Sequence, residues 1–147
     1  MEYWKFKAID KLKDYSAQKT SIVNLTEEIS RLEMEAYSIK SSTSDGTPVK
    51  GGGNGREERL LSNIVQREEY KLMRDRAKIS VSMVDRGLSI LNAEEKRLLD
   101  RMYISQEKGK IAQLMSEMGL MEPSSLYKRV NKALRRFTIA LYGCTES

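Results

Sequence analysis

Apolar residues in the first part of the chain keep a helical rhythm. Ile22, Leu25, Ile29, Leu32, Ala36 and Ile39 are spaced three, four, three, four and three. This is a coiled-coil seam running over about two and a half heptads. Towards the N-terminus, Phe6, Ile9, Leu12 and Tyr15 form a related face with a shifted phase. A helix over residues 3–40 would be roughly 55 Å long at 1.5 Å per residue. Such a helix needs a partner for its stripe. Residues 56–85 are the expected partner, with Leu61, Val65, Leu72, Ile79 and Met83 at multiples of helical spacing and Glu68 and Arg76 interrupting them. Residues 41–55 lie between, and hold five of the nine glycines, Pro48 and one large apolar residue, Val49. That composition reads as a flexible Ser/Gly-rich loop. Residues 1–87 are therefore expected to form a long antiparallel helical hairpin, coiled-coil-like in its packing. Pairing of each helix with its copy in a dimer is the alternative, and the two are compatible.

After Gly87 the pattern breaks into shorter elements. Asn92-Ala93-Glu94-Glu95 has the form of a capping box. A helix from there to about Ile104 would bury Leu98, Leu99 and Met102. Ser105 to Gly109 reads as a loop. A second helix follows from about Lys110, with Ile111, Leu114, Met115 and Met118 apolar, and Gly119 in the left-handed residue's place at its end. Pro123 suits the first turn of a third helix, where its missing N–H would have no partner anyway. That helix carries Leu126, Val130, Ala133, Leu134, Phe137 and Leu141 on one face, and Gly143 closes it. The expected fold is all-α. A hairpin over 1–87 is followed by a small helix-turn-helix domain over 88–147.

Charge placement singles out the third of these helices. At 100° per residue its apolar positions fall within an arc of about 100°. Opposite lie Ser124, Lys128, Asn131, Lys132 and Arg135, flanked by Arg129 and Arg136. From Glu122 to Arg136 there are five cations and one anion, a net of +4, against +5 for the whole chain. Duplex DNA asks for this pattern. Lys and Arg neutralise phosphates and release counterions, and Arg, Lys and Asn can address base edges in the major groove. Ser124 and Ser125 would add hydroxyls near free backbone N–H groups. A solvated basic face on an ordinary surface helix is the competing reading.

The remaining composition excludes more than it adds. There is no histidine, and Cys144 is the one cysteine, so neither a disulfide framework nor a cysteine metal cluster can be assembled. No nucleophile–base pair or metal-ligand set is recognisable, so an enzyme, a cofactor and a metal site are not expected. The Glu27-Glu28, Glu57-Glu58, Glu68-Glu69 and Glu94-Glu95 pairs read as solvated helix faces. Met102, Met115, Met118 and Met121 read as core filling, and Trp4 as packing at the end of the hairpin. Residues 51–55 lack the Walker lysine pattern and read as linker. No apolar run approaches the ~18 residues of a membrane span, and the first residues lack the build of a signal peptide. No membrane partner is expected.

Leu91–Leu99 resembles the opening helix of the region-four domain of sigma-70 factors. Leu114–Leu120 is similar to the first helix and turn of its helix-turn-helix, and Ser125–Phe137 to its recognition helix. The ending, Ala133 to Gly143, looks like the ArpU and RinA type of phage and prophage transcription regulators, a group that includes proteins with an N-terminal helical pair joined by a Ser/Gly-rich loop. The resemblance implies a regulator of late phage genes in the bacterial cytoplasm, with its last helix in the major groove. Carried onto this chain, the DNA-facing residues are Ser124, Ser125, Tyr127, Lys128, Asn131, Lys132 and Arg135, to which the charge pattern adds Arg129 and Arg136. Double-stranded DNA is the implied partner. The hairpin is left for a homodimer or for docking RNA polymerase. The turn from Gly119 to Pro123 is one residue longer than the sigma-like turn, and the loop at 105–109 is extended, so the register of base contacts is open by about one residue. Two rivals remain. One is a small terminase-like DNA-packaging adaptor. The other is a coiled-coil scaffold protein without nucleic-acid binding.

Overall fold

A computed structural model of the chain describes residues 3–41 and 52–145, with side chains from Gly55 onward in the second stretch. The described residues form helices joined by turns, without strands. They form α1 (Tyr3–Ser41), α2 (Gly52–Ser89), α3 (Ala93–Leu99), α4 (Lys110–Met118) and α5 (Pro123–Tyr142), with a π-helical turn over Asp100–Ile104 directly after α3. The expected loop at 41–55 lies largely outside the described residues. Its ends do not: Ser41 closes α1, and α2 begins at Gly52 rather than Arg56. The chain divides into two compact units, Lys19–Lys78 on one hand, and Met1–Gln18 with Ile79–Ser147 on the other. Each unit contains part of α1 and part of α2.

In the Lys19–Lys78 unit the two helical segments run antiparallel. Asn63 Nδ2 donates to the Leu32 carbonyl at 2.8 Å, and Arg56 donates to the Lys40 carbonyl at 3.0 Å. The α1 seam is the one the spacing predicts, with Ile29, Leu32, Ala36 and Ile39 buried and Ile22 and Leu25 half-buried. The α2 seam is not. Leu61, Val65, Leu72 and Ile79 are 62, 49, 53 and 63% exposed. The line that faces inward is Leu60, Asn63, Arg67, Tyr70, Arg74 and Ala77, all buried or half-buried. These positions keep strict three–four spacing, so the geometry is coiled-coil-like while the chemistry is mostly polar. Asn63 explains how such a line stays buried. Its amide donates to a backbone carbonyl, and its Oδ1 accepts from Arg67 at 2.8 Å. A polar residue at one seam position fixes register at some cost in stability.

The other unit holds the principal core. Leu98, Leu99, Met102, Leu114, Leu126, Val130, Ala133, Leu134 and Phe137 from the C-terminal helices close around Ala8 and Leu12 of α1 and Val84 of α2. Leu12, Val84 and Phe137 are fully buried. The N-terminal face differs from its sequence pattern, since Phe6 is half exposed and Ala8 takes the buried place. An alanine lets helices approach closely, and the larger Phe6 is left outside. Trp4 packs against this core as a partly buried neighbour. Lys7 lies over the Tyr142 ring at 4.8 Å, and Lys11 donates to Ser80 at 3.2 Å.

Gly87 does not end a helix. α2 continues to Ser89, and Gly87 sits where α5 approaches. A β-carbon there would lie 2.8 Å from the Phe137 ring and 3.1 Å from Leu141. The glycine is a packing residue rather than a boundary. Gly87→Ala gains about 1 kcal/mol of helix propensity but must displace a fully buried ring, and overpacking of this kind costs roughly 1–3 kcal/mol. The expected net result is a lowered thermal midpoint, measured by circular dichroism.

Tyr15 donates a hydrogen bond to Asp85. That bond, burial and the negative charge of Asp85 push the phenol up to about 12 from its ordinary 10.0. A group raised on folding stabilises fully below its unfolded pKa and loses that contribution as pH rises through the folded one. Stability should therefore fall between pH 10.0 and about 12. Tyr15→Phe should be less stable at neutral pH and should show a shallower decline across that window in denaturant titrations.

Candidate nucleic-acid interface

The interface candidate is built on α3, α4 and α5, and each end of these helices has a local cause. Asn92 caps α3 through both arms of the expected box. Its Oδ1 accepts from the Glu95 N–H at 2.8 Å, and Glu95 Oε1 accepts from the Asn92 N–H at 3.1 Å. The π-turn closes with Ser105 N–H donating to the Asp100 carbonyl at 2.8 Å. α4 ends at Gly119, whose φ of +67° is left-handed. The Leu120 N–H donates to Met115 and the Gly119 N–H to Ser116, which is the paired bonding of a Schellman motif. Leu120 to Glu122 make the turn, and Pro123 opens α5.

α5 then presents two unlike faces. Leu126, Val130, Ala133, Leu134, Phe137 and Thr138 are buried. Ser124, Lys128, Asn131 and Arg135 lie at four, three and four residue steps on the outer face, all exposed. At 100° per residue they occupy an arc of about 60°, and they span roughly 16 Å of helix. Tyr127 flanks the line on one side at 41% exposed, and Lys132 flanks it on the other. Ser125 is half-buried beside the first turn. Ser124 Oγ lies 3.4 Å from Glu122 Oε2. Burial, with Tyr127 next to it, raises the Tyr103 phenol above its ordinary value.

The nine candidate residues do not share one situation. Lys128, Asn131, Lys132 and Arg135 make no hydrogen bond or ion pair among the described residues, so their donors are available to a ligand. Arg129 pairs with Glu94 at 2.9 Å. Both groups there are about half exposed, and such a pair is worth little and can be exchanged. Arg136 is held differently. It donates to Glu95 Oε1 at 2.5 Å and to the Ile90 carbonyl at 3.3 Å. The Glu95 side chain is only 9% exposed. A buried carboxylate needs its cation, so Arg136 pins α5 to the N-terminus of α3. The Glu94-Glu95 pair is thus not simply solvated. Sequence spacing alone carries no sign of this pairing across 41 residues.

Other polar clusters have their acceptors occupied. Glu117 accepts from Arg97, and from Arg101 at 2.9 Å, while Arg101 also reaches Gln113. Beside them a cleft of about 300 Å³ is lined by Glu94, Arg97, Leu98, Leu114, Glu117 and Met118 among others. Lys110 donates to the Met102 carbonyl at 2.6 Å. Met102 is buried and Met115 and Met118 pack on the core, but Met121 is 93% exposed on the turn, so it does not fill the core. Cys144 is exposed. Among the described residues no set of three or more acidic, cysteine or histidine side chains is grouped to hold a metal ion, and no helix is long and apolar enough to cross a membrane. No protein-family model, curated protein or solved structure matches the chain.

Proposed function

We propose that this chain is a sequence-specific DNA-binding regulator of transcription, with α4, the Gly119 turn and α5 acting as a helix-turn-helix and α5 lying in the major groove. The observation that carries the reading is the outer face of α5. Lys128, Asn131, Lys132 and Arg135 stand exposed and without partners among the described residues, opposite a face that is buried from Leu126 to Thr138. A helix fits the major groove, and these side chains supply the donors and the amide that base edges and phosphates accept. The charge is placed for binding rather than for holding the fold together, since Arg136 alone carries the structural pairing with a buried acid. The reaction class is stoichiometric binding without chemistry on the nucleic acid.

The residues group by role. Lys128, Lys132 and the exchangeable Arg129 serve phosphates, with Ser124 and Ser125 near the helix start. Asn131 and Arg135 serve base edges, with Tyr127 at the margin. Arg136 acts by positioning α5. α1 and α2 together form the helical hairpin of the proposal, which serves self-association or a docking surface for RNA polymerase. The sequence resemblance to sigma-like phage and prophage regulators is what supports reading late genes in a bacterial cell as the target. The test is a salt titration of affinity for a duplex of about two helical turns. Three to four phosphate contacts predict a slope of log affinity against log salt of roughly −3 to −4. A slope near zero would refute the proposed interface.

A further inference from the structure

The outer line of α5 does not stop at Arg135. Ile139 and Tyr142 continue it in a four- and a three-residue step, and both are exposed. At 100° per residue Tyr142 falls inside the arc of Ser124, Lys128, Asn131 and Arg135, and Ile139 lies about 20° outside it. From Ser124 to Tyr142 the line runs roughly 27 Å, more than twice the ~12 Å width of the major groove. A straight helix cannot follow the curved groove floor for that length. Its far end comes out to the sugar–phosphate backbone, as the C-terminal ends of other long recognition helices do. Yet α5 carries no cation after Arg136.

The cation at that end comes from α1. Lys7 Nζ stands 4.8 Å from the centre of the Tyr142 ring and 5.6 Å from that of Tyr3. These segments of α1 and α5 belong to the same compact unit. The ring faces attract the ammonium electrostatically but take none of its N–H donors. Lys7 is exposed, and it makes no hydrogen bond or ion pair among the described residues. An ammonium carries three donors, so the charge is held in place with all three left for an anion's oxygens. Asp10 and Asp14 follow one and two turns later on the same side of α1, which confines the cationic stretch to the start of the helix.

From this placement we infer that Lys7, held by Tyr142 and Tyr3, is a further DNA phosphate-binding site at the C-terminal end of α5. The site rests on the proposed duplex reading of α5 and extends its footprint onto α1. The start of α1 then has two roles, completing the core through Ala8 and Leu12 and gripping the backbone through Lys7. Tyr142 stands about 10 Å beyond Arg135 along the helix, outside the stretch that faces base edges. Lys7 therefore adds affinity for every sequence alike.

The test is a salt titration of the full chain on a duplex of about two helical turns, read by anisotropy. One phosphate contact contributes about 0.9 to the slope. Lys7→Gln should make the slope shallower by about one and lower affinity roughly fivefold at about 150 mM salt. Lys7→Arg should keep both. Lys13→Gln removes another exposed lysine of α1, about 120° away around the helix, and should leave the slope unchanged. Ile139→Lys should steepen it by about one. A contact that only fastens α1 to α5 would instead lower the thermal midpoint of Lys7→Gln without moving the slope. That result would overturn the inference, as would an equal loss of slope in Lys13→Gln. If Lys128→Ala makes the slope shallower and Lys7→Gln does not, the phosphate site fails and the reading of α5 stands. If Lys7→Gln makes it shallower and Lys128→Ala does not, the site stands and the reading of α5 fails.

Discussion

Alanine at both Lys128 and Arg135 should lower affinity for duplex DNA by about a hundredfold at near-physiological salt. A lysine on a phosphate contributes through counterion release, and an arginine bidentate to a guanine contributes roughly 1–3 kcal/mol. Each 1.4 kcal/mol is a factor of ten, so the pair reaches the stated loss without further coupling. Neither side chain has a partner among the described residues, so circular dichroism and the thermal midpoint should stay unchanged. The two singles should separate by kind. Lys128→Ala should weaken all sequences alike and make the salt slope shallower by about one, while Arg135→Ala should relax sequence choice. Arg136→Ala offers the contrast. It strips the buried Glu95 of its cation, and its first effect should be a fall in stability. If the Lys128/Arg135 double variant binds duplex as tightly as the wild type in anisotropy titrations, the proposed face is wrong.

Leu12→Ala should be among the most destabilising substitutions outside the C-terminal helices. Leu12 is fully buried in the same core as Phe137 and Leu98. Leucine-to-alanine changes at such sites cost roughly 2–5 kcal/mol through lost burial and the cavity left behind. For a chain of this size that is a drop of about 5–15 °C in thermal midpoint. Phe6→Ala, six residues earlier and half exposed, should stay within about 0.5 kcal/mol. Trp4 is the one tryptophan and packs on this core, so its fluorescence reports the unit directly. An unchanged midpoint in Leu12→Ala would mean that the start of α1 is not part of this core.

The C-terminal helices are readable residue by residue, because each end carries a local signal. Asn92 and Glu95 cap α3, Gly119 takes a left-handed conformation, and Pro123 opens α5. The basic face of α5 is equally readable, since helical periodicity assigns it without knowledge of neighbours. The seam of α1 is legible for the same reason. The inward face of α2 is not legible in this way. Counting large apolar side chains selects Leu61, Val65 and Leu72, whereas the buried line runs through Asn63, Arg67, Tyr70 and Arg74. Hydrophobic pattern identifies a face that wants to be covered, and cannot say whether its own chain or another covers it. The strict three–four spacing through Leu60, Asn63, Arg67 and Tyr70 was the available signal, masked by its polarity.

Long-range pairings were beyond the reach of local pattern. Nothing near Gly87 announces Phe137, so a glycine at a close helix approach reads as a break. Nothing near Ala8 and Leu12 announces that they complete the C-terminal core. The ion pair from Arg136 to Glu95 likewise depends on the packing of α5 against α3. That packing divides nine candidate residues into four with unengaged side chains, one firmly held, and others in between. The division sharpens the functional reading, because it separates cations that shape the fold from cations with nothing to hold within it.

On the proposed function, α5 reads a DNA sequence. The most direct test is selection from a random duplex pool with the purified full chain at about 150 mM salt, where non-specific electrostatic binding is much reduced, followed by sequencing. The expected result is a defined motif that broadens at particular positions when Asn131 or Arg135 is replaced by alanine. An inverted repeat in that motif would place a two-fold dimer on the DNA. A pool that emerges with no enriched sequence would contradict sequence-specific recognition by this face.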